Sequence, residues 1–226
     1  MTTYNVSPSC QIKGLNEIYE KYFDKNKENT FIEVGAYDGE SFSNTSCLAD
    51  IGWRGYYIEP VQYFVDKCIE RHKNNKKISV FQNGIGTREE NIKFYFGNTL
   101  TTSNLDAVNA YKQIEWSKMS GFNDIIEAYC IRLDTFIKQN NIPQKIDLLV
   151  IDVEGNEYDV LNSFSFKEFE PAMLIVELED EHPDLKQYEN LRENNVNARN
   201  LIKNNGYKEI YKDYINTVFV KEGKYK

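Results

Sequence analysis

Thr30-Phe31-Ile32-Glu33-Val34-Gly35-Ala36-Tyr37-Asp38-Gly39 is a short apolar strand that runs straight into a Gly-x-x-x-Gly turn. Its two glycines lack a Cβ, so the backbone can reverse sharply and come close to a ligand. Working outward, the same unit recurs: a brief apolar run, a polar stop, then residues at helical spacing. Gly55-Tyr56-Tyr57-Ile58 stops at Glu59-Pro60, and Val61, Phe64, Val65, Cys68 and Ile69 follow on one helix face. Ile78-Ser79-Val80-Phe81 stops at Gln82-Asn83-Gly84. Leu148-Leu149-Val150-Ile151 is the most apolar strand and ends in Asp152-Val153-Glu154-Gly155, with Tyr158, Val160, Leu161 and Phe164 on the next helix. Ala172 to Val176 ends in Glu177-Leu178-Glu179. Alternating strands and helices predict an α/β fold built on a mostly parallel sheet.

The remaining segments fit around that sheet. Ile12, Leu15, Ile18, Tyr19, Tyr22 and Phe23 predict a leading helix over about 11–24, and Ser41 to Ile51 a modest second one. Asn91 to Phe96 alternates like a strand. Leu100 to Phe122 is polar with scattered large side chains, and reads as an insertion or lid over about 100–124. A helix from Tyr188 to Asn205 stops at Gly206, and Lys208–Tyr211 with Ile215–Lys221 predicts a terminal hairpin. The whole of 1–226 is expected to form one domain.

Composition narrows the partners. Lys plus Arg number 27 against 35 Asp plus Glu, giving a formal charge of −8. Binding bare nucleic acid needs a cationic face, so no nucleic-acid partner is expected, and anionic membrane surfaces are disfavoured. No apolar run approaches the roughly 20 residues of a membrane helix, so no membrane insertion is expected. Residues 1–11 carry neither a basic flank nor an apolar stretch, which makes a cytoplasmic setting the expectation. Cys10, Cys47, Cys68 and Cys130 lack the short spacing of a zinc or redox motif and are expected as reduced thiols. Nothing in the sequence sets an oligomeric state.

In a doubly wound sheet ligands sit beyond the carboxyl ends of the strands. Here those ends carry Glu33, Asp38, Glu59, Asn83, Asp152, Glu154, Glu177 and Glu179. A dinucleotide site would want Gly-x-Gly-x-x-Gly to admit a pyrophosphate. Gly-x-x-x-Gly flanked by Glu33 and Asp38 would repel one. Glu59, some twenty positions beyond Gly39, stands where a carboxylate can accept a ribose diol. The ligand implied is a phosphate-free adenosine with a cationic amino-acid tail, and S-adenosylmethionine (SAM) fits. The expected cofactor-binding residues are Glu33, Gly35, Tyr37, Asp38, Gly39, Glu59, Asn83 and Asp152.

The residues also resemble a known family. Phe31 through Ser41, Gly55 through Pro60, and Asn83-Gly84-Ile85-Gly86 are similar to motifs of the FkbM-type SAM-dependent methyltransferases. The most specific likeness runs from Leu133-Asp134-Thr135-Phe136 through Ile151-Asp152-Val153-Glu154-Gly155-Asn156-Glu157. Val150 departs from it, because many members carry Lys there. The resemblance implies a Rossmann-like class I methyltransferase: a mostly parallel seven-stranded sheet, an antiparallel terminal hairpin, and helices on both faces. It also implies methyl transfer to oxygen, often of a sugar or polyketide hydroxyl.

For chemistry, Asp152 and Glu154 fall where the methyl group should sit. They could hold a base of raised pKa, bind a divalent metal, or hydrogen-bond sugar hydroxyls. Glu154 could instead cap the helix starting near Asn156. Glu177 is expected to face the same cleft. His182, just past a run of acids, is a candidate base with a pKa raised by its neighbours. His72 ends a charged helix and is expected at the surface. A metal is compatible with Asp152, Glu154 and Glu177 but not required. Tyr111 and Trp116 in the lid suit stacking on a sugar ring. The reading is therefore a SAM-dependent O-methyltransferase with a small-molecule or glycan acceptor, including nucleotide-linked sugars. Its rivals are an NAD-dependent oxidoreductase and a non-catalytic SAM-binding module.

Overall fold

The computed structural model describes residues 4–224; residues 1–3 of the polar N-terminal stretch lie outside them. Its elements in chain order are α1 (Leu15–Tyr22), β1 (Thr30–Val34), α2 (Ser46–Asp50), β2 (Arg54–Glu59), α3 (Gln62–His72), β3 (Ile78–Gln82), β4 (Gly84–Ile85), β5 (Glu90–Phe96), α4 (Leu105–Tyr111), β6 (Asp124–Ile131), α5 (Leu133–Gln139), β7 (Leu148–Ile151), α6 (Glu157–Asn162), β8 (Met173–Glu177), α7 (Glu189–Asn204), β9 (Tyr207–Lys212) and β10 (Asn216–Lys221).

Seven strands make the main sheet in the order β3-β2-β1-β7-β8-β10-β9. The first five run parallel, β10 is antiparallel to β8, and β9–β10 is the predicted hairpin. The chain reverses direction across the sheet between β1 and β7, and that switch point opens a crevice at the strand ends. β1, β7 and β8 are buried on both faces, which is why they read as nearly unbroken apolar runs.

Alternation sends successive side chains to opposite layers. On one face Ile32, Val34, Leu149 and Ile151 meet Phe136 of α5, Val160 and Leu161 of α6, and Ile202 of α7. On the other, Phe31, Leu148 and Val150 meet Leu15 and Tyr19 of α1 and Leu48 of α2. Val150 is fully buried in this second layer. Asp147 fastens the strand starts, its carboxylate accepting the Thr30 N–H at 2.8 Å.

Several boundaries differ from expectation for visible reasons. α1 begins only after Gly14, whose φ of 77° breaks the helical run. The second helix shrinks to α2 because Asp38 captures the Glu40 and Ser41 amides while Glu33 draws in the Ser43 and Thr45 hydroxyls. His72 is not at the surface. It stacks on Tyr57 with centroids 4.7 Å apart, and its Nε2 lies 2.9 Å from the Gly39 carbonyl oxygen. The strand predicted at 91–96 belongs to a second sheet, β4-β6-β5, in which β5 pairs antiparallel with β6. The segment between β5 and β6 is ordered around α4, whose Val108 and Tyr111 cluster with Phe122, Leu185 and Leu191. All four cysteines are free, and all but half-buried Cys10 are buried. Among the described residues no helix is long and apolar enough to cross a membrane.

Candidate active site

The crevice at the β1–β7 switch point is a cleft of about 890 Å³. Its floor is the carboxyl edge of the main sheet, and its far wall is the small sheet with the segment after β5. Gly35, at φ 84°, crosses so close to the next loop that a Cβ would lie 1.6 Å from the Asp152 carbonyl oxygen. Only glycine lets the β1 and β7 loops touch here. Gly35 and Ala36 both donate their amides to the Ile58 carbonyl, which pins the turn against β2.

Glu59 is buried at the end of β2. One of its oxygens accepts the Tyr37 N–H and the other the Val61 N–H, each at 2.9 Å. Burial pushes its pKa up to about 7 despite these bonds. Each carboxylate oxygen has two lone-pair positions, so further donors can still be accepted. The Tyr37 ring rests on Phe64, centroids 4.2 Å apart, and its hydroxyl reaches the Asn98 side chain at 2.9 Å. Glu33 also lines the cleft but is buried, and it accepts bonds from Thr45 and Ser43. Burial raises it to about 7. Asn83 lines the opposite side and donates to the Tyr129 carbonyl at 3.2 Å.

Two expected cofactor residues play other parts. Asp38 is outside the cleft lining, and its carboxylate organises the turn through the Glu40 and Ser41 amides. Gly39 is also outside it. A Cβ there would come within 2.6 Å of Cys68 Sγ, so this glycine admits α3 to the sheet.

The β7 and β8 ends bring Asp152, Glu154 and Glu177 together. Ligand-capable oxygens of the three lie within 4.8 Å of one another. Burial is the first cause that raises all three carboxyls above their usual range. For Glu154 and Glu177 the neighbouring acids add to it. Glu154 does not cap a helix; it turns inward and accepts a bond from the Tyr111 hydroxyl. Glu157 secures the loop instead, accepting the Val153 and Gly155 amides at 3.1 Å each. Glu179 lines the cleft beside them, raised to about 8 by burial and by Glu157 and Asp152. The sequence shows Glu179 at a strand end but gives it no role. Its i, i+2 spacing from Glu177 is the signal that puts it on the same side of the chain.

His182 lines the cleft, buried between Trp116 and Tyr214. Its pKa is lowered by burial, with only Asp184 opposing, so the expected upward shift is reversed. Its Nδ1 accepts the Asp184 amide at 3.2 Å, so the neutral ring carries its proton on Nε2 and offers a donor there. Tyr111 is buried, stacked on Phe122 and bonded to Glu154, and its ring is not free for a ligand. Trp116 does line the cleft, half exposed, its indole N–H on Asp184 at 3.0 Å.

The family model described as methyltransferase FkbM domain matches residues 33–209. An O-methyltransferase from Bacillus cereus in complex with SAH superposes with a TM-score of 0.51 at 15% identity, covering 96% of this chain and 83% of that one. A methyltransferase FkbM from Methylobacillus flagellatus KT gives 0.49 at 15% identity, with 85% and 43% covered. The chain thus spans under half the length of that protein. Fibrillarin from Aeropyrum pernix, with natively bound S-adenosyl-L-methionine, gives 0.48 at 10% identity, with 86% and 67% covered. No curated protein matches the sequence.

Proposed function

The chain belongs to the FkbM family of SAM-dependent methyltransferases, and from that membership we propose that it methylates a hydroxyl of a sugar or glycan, nucleotide-linked sugars included. The observation that carries the reading is one cleft joining the bare backbone at Gly35, the carboxylate of Glu59 and the acidic edge of Asp152, Glu154 and Glu177. That donor set suits a cationic, phosphate-free nucleoside. It also explains why an NAD-dependent oxidoreductase is not favoured, since the chain has no pyrophosphate-binding glycine loop.

Bound SAM would supply an electrophilic methyl group on a sulfonium centre. The residues do the rest. Glu59, oriented by two backbone N–H groups, accepts the ribose hydroxyls. Asn83 is suited to the adenine edge, and Tyr37, held by Phe64, to the face of the nucleoside. Asp152, Glu154 and Glu177 hold the acceptor hydroxyl and take its proton, for which raised carboxyl pKa values are suited. The segment around α4 acts as the lid, excluding water and aligning the acceptor for in-line transfer. Trp116 offers an aromatic face to a sugar ring, and the Thr99, Thr101 and Ser103 segment lines the cleft with hydroxyl-bearing residues.

Isothermal titration with S-adenosylhomocysteine tests the cofactor half. Binding should weaken about ten- to a hundredfold in Glu59→Ala, the value of a lost charge-assisted hydrogen bond. A folded protein that ignores this ligand, with Glu59→Ala no worse, defeats the reading. Turnover on a panel of sugars and nucleotide-linked sugars tests the acceptor half, and SAM binding without turnover on any of them would favour a non-catalytic module.

A further inference from the structure

The acidic edge contains an oxygen with no partner. Glu177 is only 8% exposed, and its Oε2 makes no hydrogen bond within the described structure. A buried carboxylate oxygen left in this way has given up its hydration without a replacement. The charges that act most on Glu177 are Asp152, Glu154, Glu179 and Glu157, all acidic. The fold therefore concentrates negative charge around an unsatisfied acceptor that lines the cleft.

We propose that Asp152, Glu154 and Glu177 form a binding site for one hard divalent cation of the Mg²⁺ class. The proposal takes its catalytic meaning from the methyltransferase reading of the same cleft. Three carboxylates offer oxygen only, which selects Mg²⁺, Mn²⁺ or Ca²⁺ over softer ions. Oxygens around Mg²⁺ at about 2.0–2.1 Å stand about 3 Å apart when adjacent and about 4.2 Å when opposite. The three oxygens here all lie within 4.8 Å of one another, so a small inward movement of the side chains brings them to that spacing. Two ligands come from the loop after β7 and the third from the end of β8, so neighbouring strands of a rigid sheet fix the set. Tyr111 orients Glu154 from behind, as an outer partner should.

The cation would leave positions open toward the cleft. An acceptor hydroxyl bound there becomes easier to deprotonate, and a neighbouring hydroxyl can occupy a second position. The site thus narrows the acceptor to a molecule with vicinal oxygens.

The test uses the full chain, stripped with EDTA and desalted. Mn²⁺ is titrated in with free ion followed by electron paramagnetic resonance, and Mg²⁺ is then added in competition. One Mn²⁺ per chain, displaced by Mg²⁺, is expected. Glu177→Gln and Asp152→Asn should each weaken it at least about tenfold, since even outer partners of a metal ligand cost that much. Circular dichroism confirms the fold of each variant. No Mn²⁺ binding at millimolar concentration, or binding that neither substitution diminishes, overturns the site. S-adenosylhomocysteine is titrated on the same samples. Protein that binds it but not Mn²⁺ loses only the cation site, whereas protein that binds neither loses the methyltransferase reading as well.

Discussion

A Cβ on Gly35 would lie 1.6 Å from the carbonyl oxygen of Asp152. The contact joins the loops at the two sides of the switch point, so the turn after β1 and the acidic edge share one backbone junction. Asp152 is fastened from the other direction too, its amide donating to Val34 at 3.0 Å. The obstructing atom is main chain and cannot rotate away, and the φ of 84° disfavours any side chain. Gly35→Ala should therefore lose about 2–4 kcal/mol, from the left-handed penalty plus overpacking. Urea unfolding measures the loss, and S-adenosylhomocysteine binding should fall with it. A variant as stable as wild type would show that the loops separate freely.

Tyr111 illustrates a residue that acts through another. It is buried in the α4 cluster, and its hydroxyl donates to Glu154. Tyr111→Phe keeps the ring packing and removes the donor from a buried carboxylate. Stability should drop by about 1–3 kcal/mol. Steady-state kinetics should show kcat reduced roughly tenfold while the dissociation constant for S-adenosylhomocysteine stays the same. A loss of cofactor affinity instead would place Tyr111 with the nucleoside rather than the acceptor.

Much of this arrangement was legible in the sequence. Parallel strands buried on both faces leave unbroken apolar runs, and the first polar residues after each run must lie at the sheet edge. Leu148–Ile151 with Asp152, and Met173–Val176 with Glu177, were readable in that way. The family-like Leu133-Asp134-Thr135-Phe136 signature proves to be largely structural. Asp134 pairs with Arg132, and Phe136 packs edge-on against Phe81 in the core. Contacts set by tertiary packing could not be read. His72 looks like a surface residue until Gly39 is seen to make room for it. The inward turn of Glu154 depends on Tyr111, far away in sequence. The sheet β4-β6-β5 escaped because β5 pairs with a strand nearly thirty residues on, leaving no short hairpin turn to signal it.

Glu33 gives the fold a pH dependence whose sign is fixed. Its pKa stands at about 7 in the folded chain, raised by burial from 4.5. The folded state thus holds the proton more tightly than the unfolded state. The group's contribution is fully present below about pH 4.5 and is lost as pH rises through 7, to a total of about 3 kcal/mol. Glu59 and Glu157, both near 7, and Glu179, near 8, act in the same direction. Ligand-free protein should be more stable at pH 5.5 than at pH 8 in urea titrations. Glu33→Gln keeps an acceptor for Thr45 and Ser43 and should flatten the profile by about one group's share. A profile that rises toward pH 8 would contradict the burial of these carboxyls.

A substitution at Trp116 tests the proposed acceptor side of the cleft apart from the cofactor side. It stands on the α4 side of the cleft, 50% exposed, with its indole N–H on Asp184 and its ring 6.0 Å from that of His182. An aromatic ring so exposed gains little from core packing, and its hydrogen bond spends the only polar atom it has, leaving the face for a ligand. Gly35 and Glu59, proposed to hold the cofactor, stand at the ends of β1 and β2, away from the segment that carries Trp116, so a change at Trp116 should not reach them. Trp116→Ala should raise the acceptor KM about three- to tenfold, the worth of one aromatic stacking contact. The S-adenosylhomocysteine dissociation constant should not change, and Trp116→Phe, which keeps a face but not the Asp184 bond, should recover most of the loss. If Trp116→Phe were as impaired as Trp116→Ala, the bond that ties the wall to Asp184 would be the feature that matters, and the aromatic face would have no part in holding a sugar.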